Sequence, residues 1–208
     1  MEDNKCKICR RAGEKLFLKG ERCFTPKCSF ERRPYAPGKR DSERKHRSTV
    51  TEFGTQLREK QKVRNVYRIS EKQFANYVKR ASESKGNPSE KLFEELESRL
   101  DSTVYRLGLA KSRSESRQMV AHGHIVVNGR RITVPSYEIR IGDVLAVRTG
   151  SVGNGFFANI SEKLAKAVIP SWLNFDIKKI QAEVRSKPIL DKQSSEYNLT
   201  SVIEFYSR

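Results

Sequence analysis

Apolar side chains recur at helical spacing in the first half of the chain. Residues 70–84 open with Ser70-x-x-Gln73, the spacing of a capping box. The apolar residues that follow, three and four positions apart, are Phe74, Tyr77, Val78 and Ala81. This pattern predicts an amphipathic helix whose apolar stripe belongs to a core.

Helices are also predicted on both sides of this segment. Residues 51–67 place apolar and basic side chains on different faces, which indicates a basic helix. Asn87 and Pro88 supply an N-cap and a first-turn proline to a helical pattern that ends near Gly108. The apolar residues of that pattern are Leu92, Phe93, Leu96, Leu100 and Leu107.

A hairpin is predicted beyond these helices. Ser112-x-x-Glu115 caps one more helix, and the β-branched run 125–127 follows it. The run leads into Asn128-Gly129, the strongest short signal for a tight hairpin, and the stretch IGDVLAV supplies a further strand. The sequence therefore predicts two helices followed by antiparallel strands.

The last sixty residues give weaker signals. GSVGNGFFANI is typical of a flexible glycine-rich loop, and a short helical pattern spans Leu164 to Val168 before Pro170 ends it. Trp172 belongs to an apolar patch typical of a core. The final SVIEFYSR is interpreted as a strand or a docked tail. No function can be assigned from this region alone.

The net charge of the chain indicates what kind of partner it binds. The 208-residue chain carries 42 Lys and Arg against 25 Asp and Glu, a net charge of +17. Residues 1–80 contribute +13 of it and the remainder only +4. Such an excess draws polyanions over long distances, so a nucleic acid is the expected partner. No window has the roughly 18 apolar residues that a membrane span requires, and the acidic start is not typical of a signal or transit peptide.

All four cysteines lie in one short N-terminal stretch, spaced C-x2-C-x13-C-x4-C. They are Cys6, Cys9, Cys23 and Cys28. Two close pairs can bring four thiolates to the corners of a tetrahedron, so the spacing favours one structural zinc ion. An iron–sulfur cluster, disulfides and free thiols remain as alternatives.

The expected fold class is α+β. We expect residues 1–97 to form a mostly helical domain with a zinc knuckle and a basic loop. Residues 98–147 are expected to form a small helix-hairpin RNA-binding module with an antiparallel sheet. Residues 148–208 are expected to complete that sheet and to dock back on the helical domain.

Basic residues in the knuckle, the first helices and the helix-hairpin module indicate an RNA surface that grips phosphates by charge and shape. Gly123 is expected to let backbone approach the partner closely. The residues expected to contact RNA are Arg10, Arg11, Lys19, Arg22, Arg32, Arg33, Arg58, Lys60, Lys62, Arg64, Arg113, Arg117, His122, Gly123, His124, Asn128, Arg130 and Arg131.

The sequence gives no sign of catalysis. His122 and His124 have no carboxylate or cysteine at ligand spacing, so a phosphate contact or a backbone hydrogen bond is the preferred interpretation. No nucleophile elbow, phosphate-binding loop or kinase signature is visible. We predict a protein that is not an enzyme.

Four segments carry a resemblance to a known family. GEKLFLKGERCFTPKCSFERRPY, GTQLREKQKVRNVY, RLDSTVYRLGLAKSRSESRQMVAHGHIVVNGRRI and the terminal IEFYSR resemble the bacterial small-subunit ribosomal proteins known as S-four. The likeness extends over nearly the full length. The four cysteines resemble the zinc-bearing branch of that family.

The resemblance implies a structural protein of the small ribosomal subunit. Its members are primary binders of small-subunit ribosomal RNA at a junction in the five-prime domain, and they contact ribosomal protein S-five at an interface that affects decoding accuracy. They also line the channel through which messenger RNA enters. Carried over by position, the channel candidates are Arg44, Lys45 and Arg47. The implied location is the cytoplasmic ribosome, with an organellar ribosome as the other possibility.

Two other classes of protein share some of these features. An RNA-modifying enzyme can carry the same helix-hairpin module, but it needs a catalytic domain with a reactive aspartate. A zinc-finger DNA regulator is expected to read base edges with a major-groove helix and often to dimerise. Neither the catalytic domain nor a dimer element is visible in the sequence.

Overall fold

The computed structural model describes residues 4–38, 51–153, 155–157, 168–176, 180–190 and 197–207. The helices in these ranges are α1 Asn4–Ala12, α2 Ser29–Arg32, α3 Glu52–Tyr67, α4 Glu71–Glu83, α5 Pro88–Glu97, α6 Leu100–Arg106, α7 Arg113–Ala121 and α8 Leu199–Ser207. The strands are β1 Ile125–Val127, β2 Arg130–Arg131, β3 Val144–Val147, β4 Leu173–Asp176 and β5 Gln181–Val184. Short 3-10 turns span Gly20–Phe24, Thr149–Ser151 and Gly155–Phe157. The α+β class is confirmed.

The predicted helix starts are confirmed by their capping hydrogen bonds. Ser70 Oγ accepts from the amide of Gln73 at 3.3 Å, and Asn87 Oδ1 accepts from the amide of Ser89 at 3.0 Å. Ser112 Oγ accepts from the amide of Glu115 in the same way. Each side chain satisfies a backbone N–H that has no partner within its helix.

The helical pattern from Asn87 to Gly108 is broken into two helices, which the sequence did not indicate. Arg99 adopts an extended backbone (ψ 138°) between α5 and α6. The break is held by loop 132–141, because Arg99 bridges Glu138 and the amide of Ile139 donates to the Ser98 carbonyl at 2.9 Å. Pairing with a distant segment overrides local helix propensity here.

The strands form one antiparallel sheet in the order β2-β1-β3-β5-β4. The predicted Asn128-Gly129 turn joins β1 to β2, and both residues have the positive φ that a type I′ turn requires. Strand β3 pairs with β1 on one side and with β5 on the other. The C-terminal segment therefore adds β4 and β5 to the sheet of the helix-hairpin module.

Two hydrophobic cores organise the molecule. One packs α6 and α7 against the sheet around Leu100, Met119 and Ile125. The other joins α3, α4, α5 and α8 around Phe74 and Leu92. The cysteine-bearing segment belongs to this second core.

The final stretch SVIEFYSR is part of a docked helix rather than a strand. Its helix α8 packs mainly on α3 and buries Leu199 and Val202. Tyr206 donates to Glu71 at 2.7 Å, which ties the segment to the start of α4. The predicted helical pattern from Leu164 lies almost entirely outside the described residues.

Candidate RNA interface

The four cysteines lie in one small unit, residues 4–33, which we call the cysteine unit. Cys6 and Cys9 are on α1, Cys23 is in a 3-10 turn and Cys28 immediately precedes α2. All but Cys6 are buried, and none is in a disulfide. Burial raises the pKa of the Cys9 thiol, the Leu16 amide opposes the rise, and the charges of the other three cysteines add to it.

The donor set suits zinc in its chemistry, since four thiolates make a closed structural site. The spatial arrangement of these side chains gives the zinc site less support. Among the described residues, no three Cys, His, Asp or Glu side chains are grouped so that they could hold a metal ion. The expected zinc ion therefore stays a prediction.

The structure divides the expected RNA-contacting residues into outward and inward sets. The exposed ones are Arg11, Arg22, Arg32, Arg33, Arg58, His122, Asn128, Arg130 and Arg131. Lys19, Arg64, Arg117 and His124 are partly exposed. The channel candidates Arg44, Lys45 and Arg47 lie outside the described residues.

Three expected contacts in the N-terminal domain are used internally. Arg10 is 5% exposed, and its Nε donates to the Tyr35 carbonyl at 2.9 Å. Lys60 is equally buried, with its ammonium 2.6 Å from Glu71 and 4.7 Å from the ring centre of Phe205. Lys62 pairs with carboxylates on both sides, Glu14 and Glu59. Because the two lysines are paired with carboxylates and Arg10 is buried against Tyr35, we no longer assign these side chains to the RNA surface.

Arg113 and Arg117 were both expected to contact RNA, but the structure exposes them unequally. The Arg113 guanidinium lies between the rings of Tyr67 and Tyr105, 4.4 and 4.6 Å from their centres, with only 10% of the side chain exposed. Arg117 is more open, and it reaches Asp101 and the Arg68 carbonyl at 3.4 Å each. Only Arg117 stays accessible to a phosphate.

A buried carboxylate holds these arginines. Glu97, 1% exposed, accepts from Tyr67 at 2.6 Å, from Arg106 through two bonds of 2.8 Å and from Arg113 at 3.0 Å. Burial acts to raise the pKa of Glu97, but the two arginines and the tyrosine outweigh it and hold that pKa below its ordinary value. Helices α3, α5, α6 and α7 thus meet at a single carboxylate.

Gly123 makes a close internal contact, and its approach to a partner stays a prediction. Its φ is +72°, and a side-chain carbon there would lie 2.0 Å from Nε of Arg131. Arg131 packs over this glycine while its Nη2 donates to the His122 carbonyl at 2.9 Å. The missing side chain therefore lets Arg131 fold back onto the end of α7.

The hairpin carries a positive cluster formed by His122, His124, Arg131 and Arg148. The two imidazoles lie 5.9 Å apart, and the amide of Arg148 donates to the His124 carbonyl at 2.8 Å. Burial lowers the pKa of His124, and His122, Arg131 and Arg148 lower it further. Arg131 and Arg148 thus place two cations near His124, an environment that suits an anionic phosphate.

Asn128 is exposed, and its side chain also has a structural role. Its side chain donates to Asp143 at 2.7 Å and accepts from the amide of Val144 at 2.9 Å. These bonds join the tip of the hairpin to the start of β3. We therefore expect any RNA contact by Asn128 to be secondary to this bracing role.

Three exposed residues were not predicted from the sequence to contact RNA. Arg148 and Arg68 are exposed, and their guanidiniums have no partner among the residues that the structure describes. Arg68 ends α3 in a left-handed conformation with φ 53°. Phe24 is 74% exposed. No periodic pattern marks these positions, so exposure alone identifies them.

Comparison with known proteins fits this architecture. Residues 1–97 match the family described as Ribosomal protein S4/S9 N-terminal domain, and residues 98–145 match the S4 domain. The small ribosomal subunit protein uS4 of Ruminiclostridium cellulolyticum is 48% identical over 206 residues, covering 99% of this chain and 98% of the relative. Its counterpart in Oleidesulfovibrio alaskensis is 46% identical with the same coverage. That of Caldicellulosiruptor bescii is 45% identical over 98% of this chain and 96% of the relative.

A helical domain joined to a hairpin with a basic cluster is the architecture of an S4-domain protein. The chain belongs to the uS4 family of bacterial small ribosomal subunit proteins. No helix among the described residues is long and apolar enough to cross a membrane.

Proposed function

We propose that this protein is a structural, non-enzymatic component of the small ribosomal subunit that binds small-subunit ribosomal RNA in the bacterial cytoplasm. Family membership supports this role. The observation that carries the RNA contact is the positive hairpin cluster, in which Arg131 and Arg148 lie close to His122 and His124. Exposed Arg130 lies beside it on β2.

The finer role that we propose is primary binding at a helical junction in the five-prime domain, which nucleates assembly. Exposed arginines occur both on the cysteine unit and on the hairpin, for example Arg22 and Arg130. Two separated basic surfaces suit RNA segments that converge at a junction, because each can neutralise a different backbone. Contact with ribosomal protein S-five, an effect on decoding accuracy and contact with messenger RNA through Arg44, Lys45 and Arg47 rest on the family resemblance alone.

Zinc binding by Cys6, Cys9, Cys23 and Cys28 is also part of this proposal. The support is the position of all four cysteines within one small unit, the burial of three of them and their presence as free thiols. These residues would hold the ion as a closed tetrathiolate. When bound, it would stabilise a segment that is too small to fold alone.

The RNA role can be tested by measuring affinity for a junction transcript of the small-subunit five-prime domain across a salt series. Replacing Arg130 and Arg148 together with Ala should weaken binding and flatten the log–log salt slope, by about 0.7–0.9 for each phosphate that the variant no longer neutralises. The matched control replaces Lys72 and Lys79, two exposed cations on α4, with Ala. Equal affinity for the junction transcript and for duplex DNA of the same length would contradict the proposal.

A further inference from the structure

A cleft of about 720 Å³ opens between the cysteine unit, helices α5 to α7 and the C-terminal segment. Six of the residues that line it are aromatic. The aromatic residues are Phe17, Phe24, Phe93, Tyr105, Trp172 and Tyr197. The positive hairpin cluster does not account for this cleft, because none of its four residues lines it.

One wall of the cleft is a stacked pair of phenylalanines. The rings of Phe17 and Phe24 lie 4.9 Å apart at an interplanar angle of 25°. Phe17 holds a left-handed backbone with φ 48°, a conformation that a bulky residue rarely adopts without a reason. Phe24 stays 74% exposed, so its ring adds little to the core. A strained residue thus supports an aromatic ring that faces solvent.

The cleft is also cationic. Its charged lining consists of Arg68, Arg106, Arg113 and Glu97, a formal charge of +2. The Arg68 side chain is exposed and has no partner among the described residues. Nε and Nη1 of Arg113 are buried donors without an acceptor in the part of the chain that the structure describes. An anionic occupant therefore matches the charge of the cleft.

We infer that this cleft accepts an unstacked nucleotide of the RNA, with the base on the ring of Phe24 and the phosphate toward Arg68. Aromatic side chains beside arginines are the usual platform for bases that have left a helix. The inference rests on the proposed RNA function and adds a single-stranded contact to it. A phosphate-only surface would need the arginines but not the exposed stacked rings.

The test measures the affinity of the full-length protein for the five-prime-domain junction transcript with three variants. Phe24→Leu keeps an apolar side chain but removes the ring, and it should weaken binding on the order of tenfold. Phe24→Tyr keeps the ring and should bind within about twofold of the wild type. Phe53→Leu changes a phenylalanine that is 50% exposed on α3 outside the cleft, so its affinity should not change.

Trp172 provides an independent readout, because it is the only tryptophan in the chain and lines the cleft. Its emission should change when the junction transcript binds to the wild type, and this change should be absent in Phe24→Leu. Because Phe24 is exposed, we expect its variants to fold. Circular dichroism checks that each variant is folded.

The outcomes separate this inference from the proposed function. If the wild type does not bind the junction transcript, both fail. If the wild type binds and Phe24→Leu binds equally well with the same Trp172 response, only the nucleotide site fails. Wild-type affinity in Phe24→Leu, combined with defective subunit assembly in Phe24→Asp, would assign the cleft to a protein partner and would also overturn the inference.

Discussion

Glu97 accepts a hydrogen bond from Arg113 at 3.0 Å, and both side chains are at least nine-tenths buried. Glu97 ends α5 and Arg113 begins α7, so the pair crosses from the helical domain to the helix-hairpin module. The same carboxylate binds Arg106 and Tyr67. This buried ion-pair network is therefore one of the contacts that fix the relative position of the two parts.

Glu97→Ala should destabilise the protein strongly. Removing one partner of a buried ion pair leaves the other charge without compensation, which costs about 3–5 kcal/mol. Arg113→Ala should lower the free energy of unfolding comparably, because it leaves the buried Glu97 carboxylate with one cation fewer. Urea denaturation measures the free energy of unfolding of both variants. Glu83→Ala, which removes an exposed carboxylate on α4, is the control and should resemble the wild type.

The network also predicts acid sensitivity. The folded-state pKa of Glu97 lies below its ordinary value of 4.5, so the unfolded chain binds a proton first as the pH falls. This contribution to stability should be complete above about pH 4.5 and should disappear as the pH falls through the folded-state pKa. In Glu97→Gln, the free energy of unfolding should fall less steeply below pH 4.5 than in the wild type. Parallel pH profiles would contradict this account.

Gly20 should tolerate no side chain. Its φ is +63°, and an added carbon would lie 2.2 Å from the Lys111 carbonyl oxygen, which belongs to the backbone and cannot swing aside. Gly13 has a similar φ of +81° but open space around it. Gly13→Ala should therefore cost only the backbone strain, about 1–2 kcal/mol. Gly20→Ala should cost more and should also increase hydrogen exchange in the cysteine unit. Equal effects would indicate that the contact with Lys111 contributes nothing.

RNA affinity should depend on pH through His124. Its pKa is lowered in the free protein by burial and by nearby cations, and a bound phosphate would raise it by favouring the charged imidazole. Binding then takes up a proton, so affinity should increase as the pH falls below the pKa of the complex. Comparing wild type with His124→Asn over about pH 5–8 by fluorescence anisotropy tests this. An unchanged pH dependence in the variant would place the phosphate elsewhere.

Removal of the proposed zinc ion should unfold the cysteine unit. Elemental mass spectrometry should find one zinc per chain in the wild type and far less in Cys9→Ser. Hydrogen exchange after chelation should increase in residues 4–33, while the amides of β1 and β3 remain protected by their own core. Wild-type protein without metal would instead support free thiols, or disulfides that form after folding.

Local signals determined much of the fold from the sequence by itself. The caps at Ser70, Asn87 and Ser112 and the Asn128-Gly129 turn act over a few residues, so each could be predicted without knowledge of the rest. The net charge of +17 likewise indicated a polyanionic partner. Four segments of the chain were sufficient to suggest the family that the comparisons then showed.

Tertiary structure decided which charged side chains remain exposed and able to contact a partner. Lys60 and Arg113 look like surface cations in the sequence, yet Glu71 and Glu97 come from other helices to neutralise them. The break of the helix at Arg99 depends in the same way on the distant loop that contains Glu138. Burial and pairing of a charge arise from contacts between segments far apart in the chain, and no local pattern encodes them. The sequence therefore determined that this protein is basic and how its elements begin, while the packing of those elements decided where its positive charge faces outward.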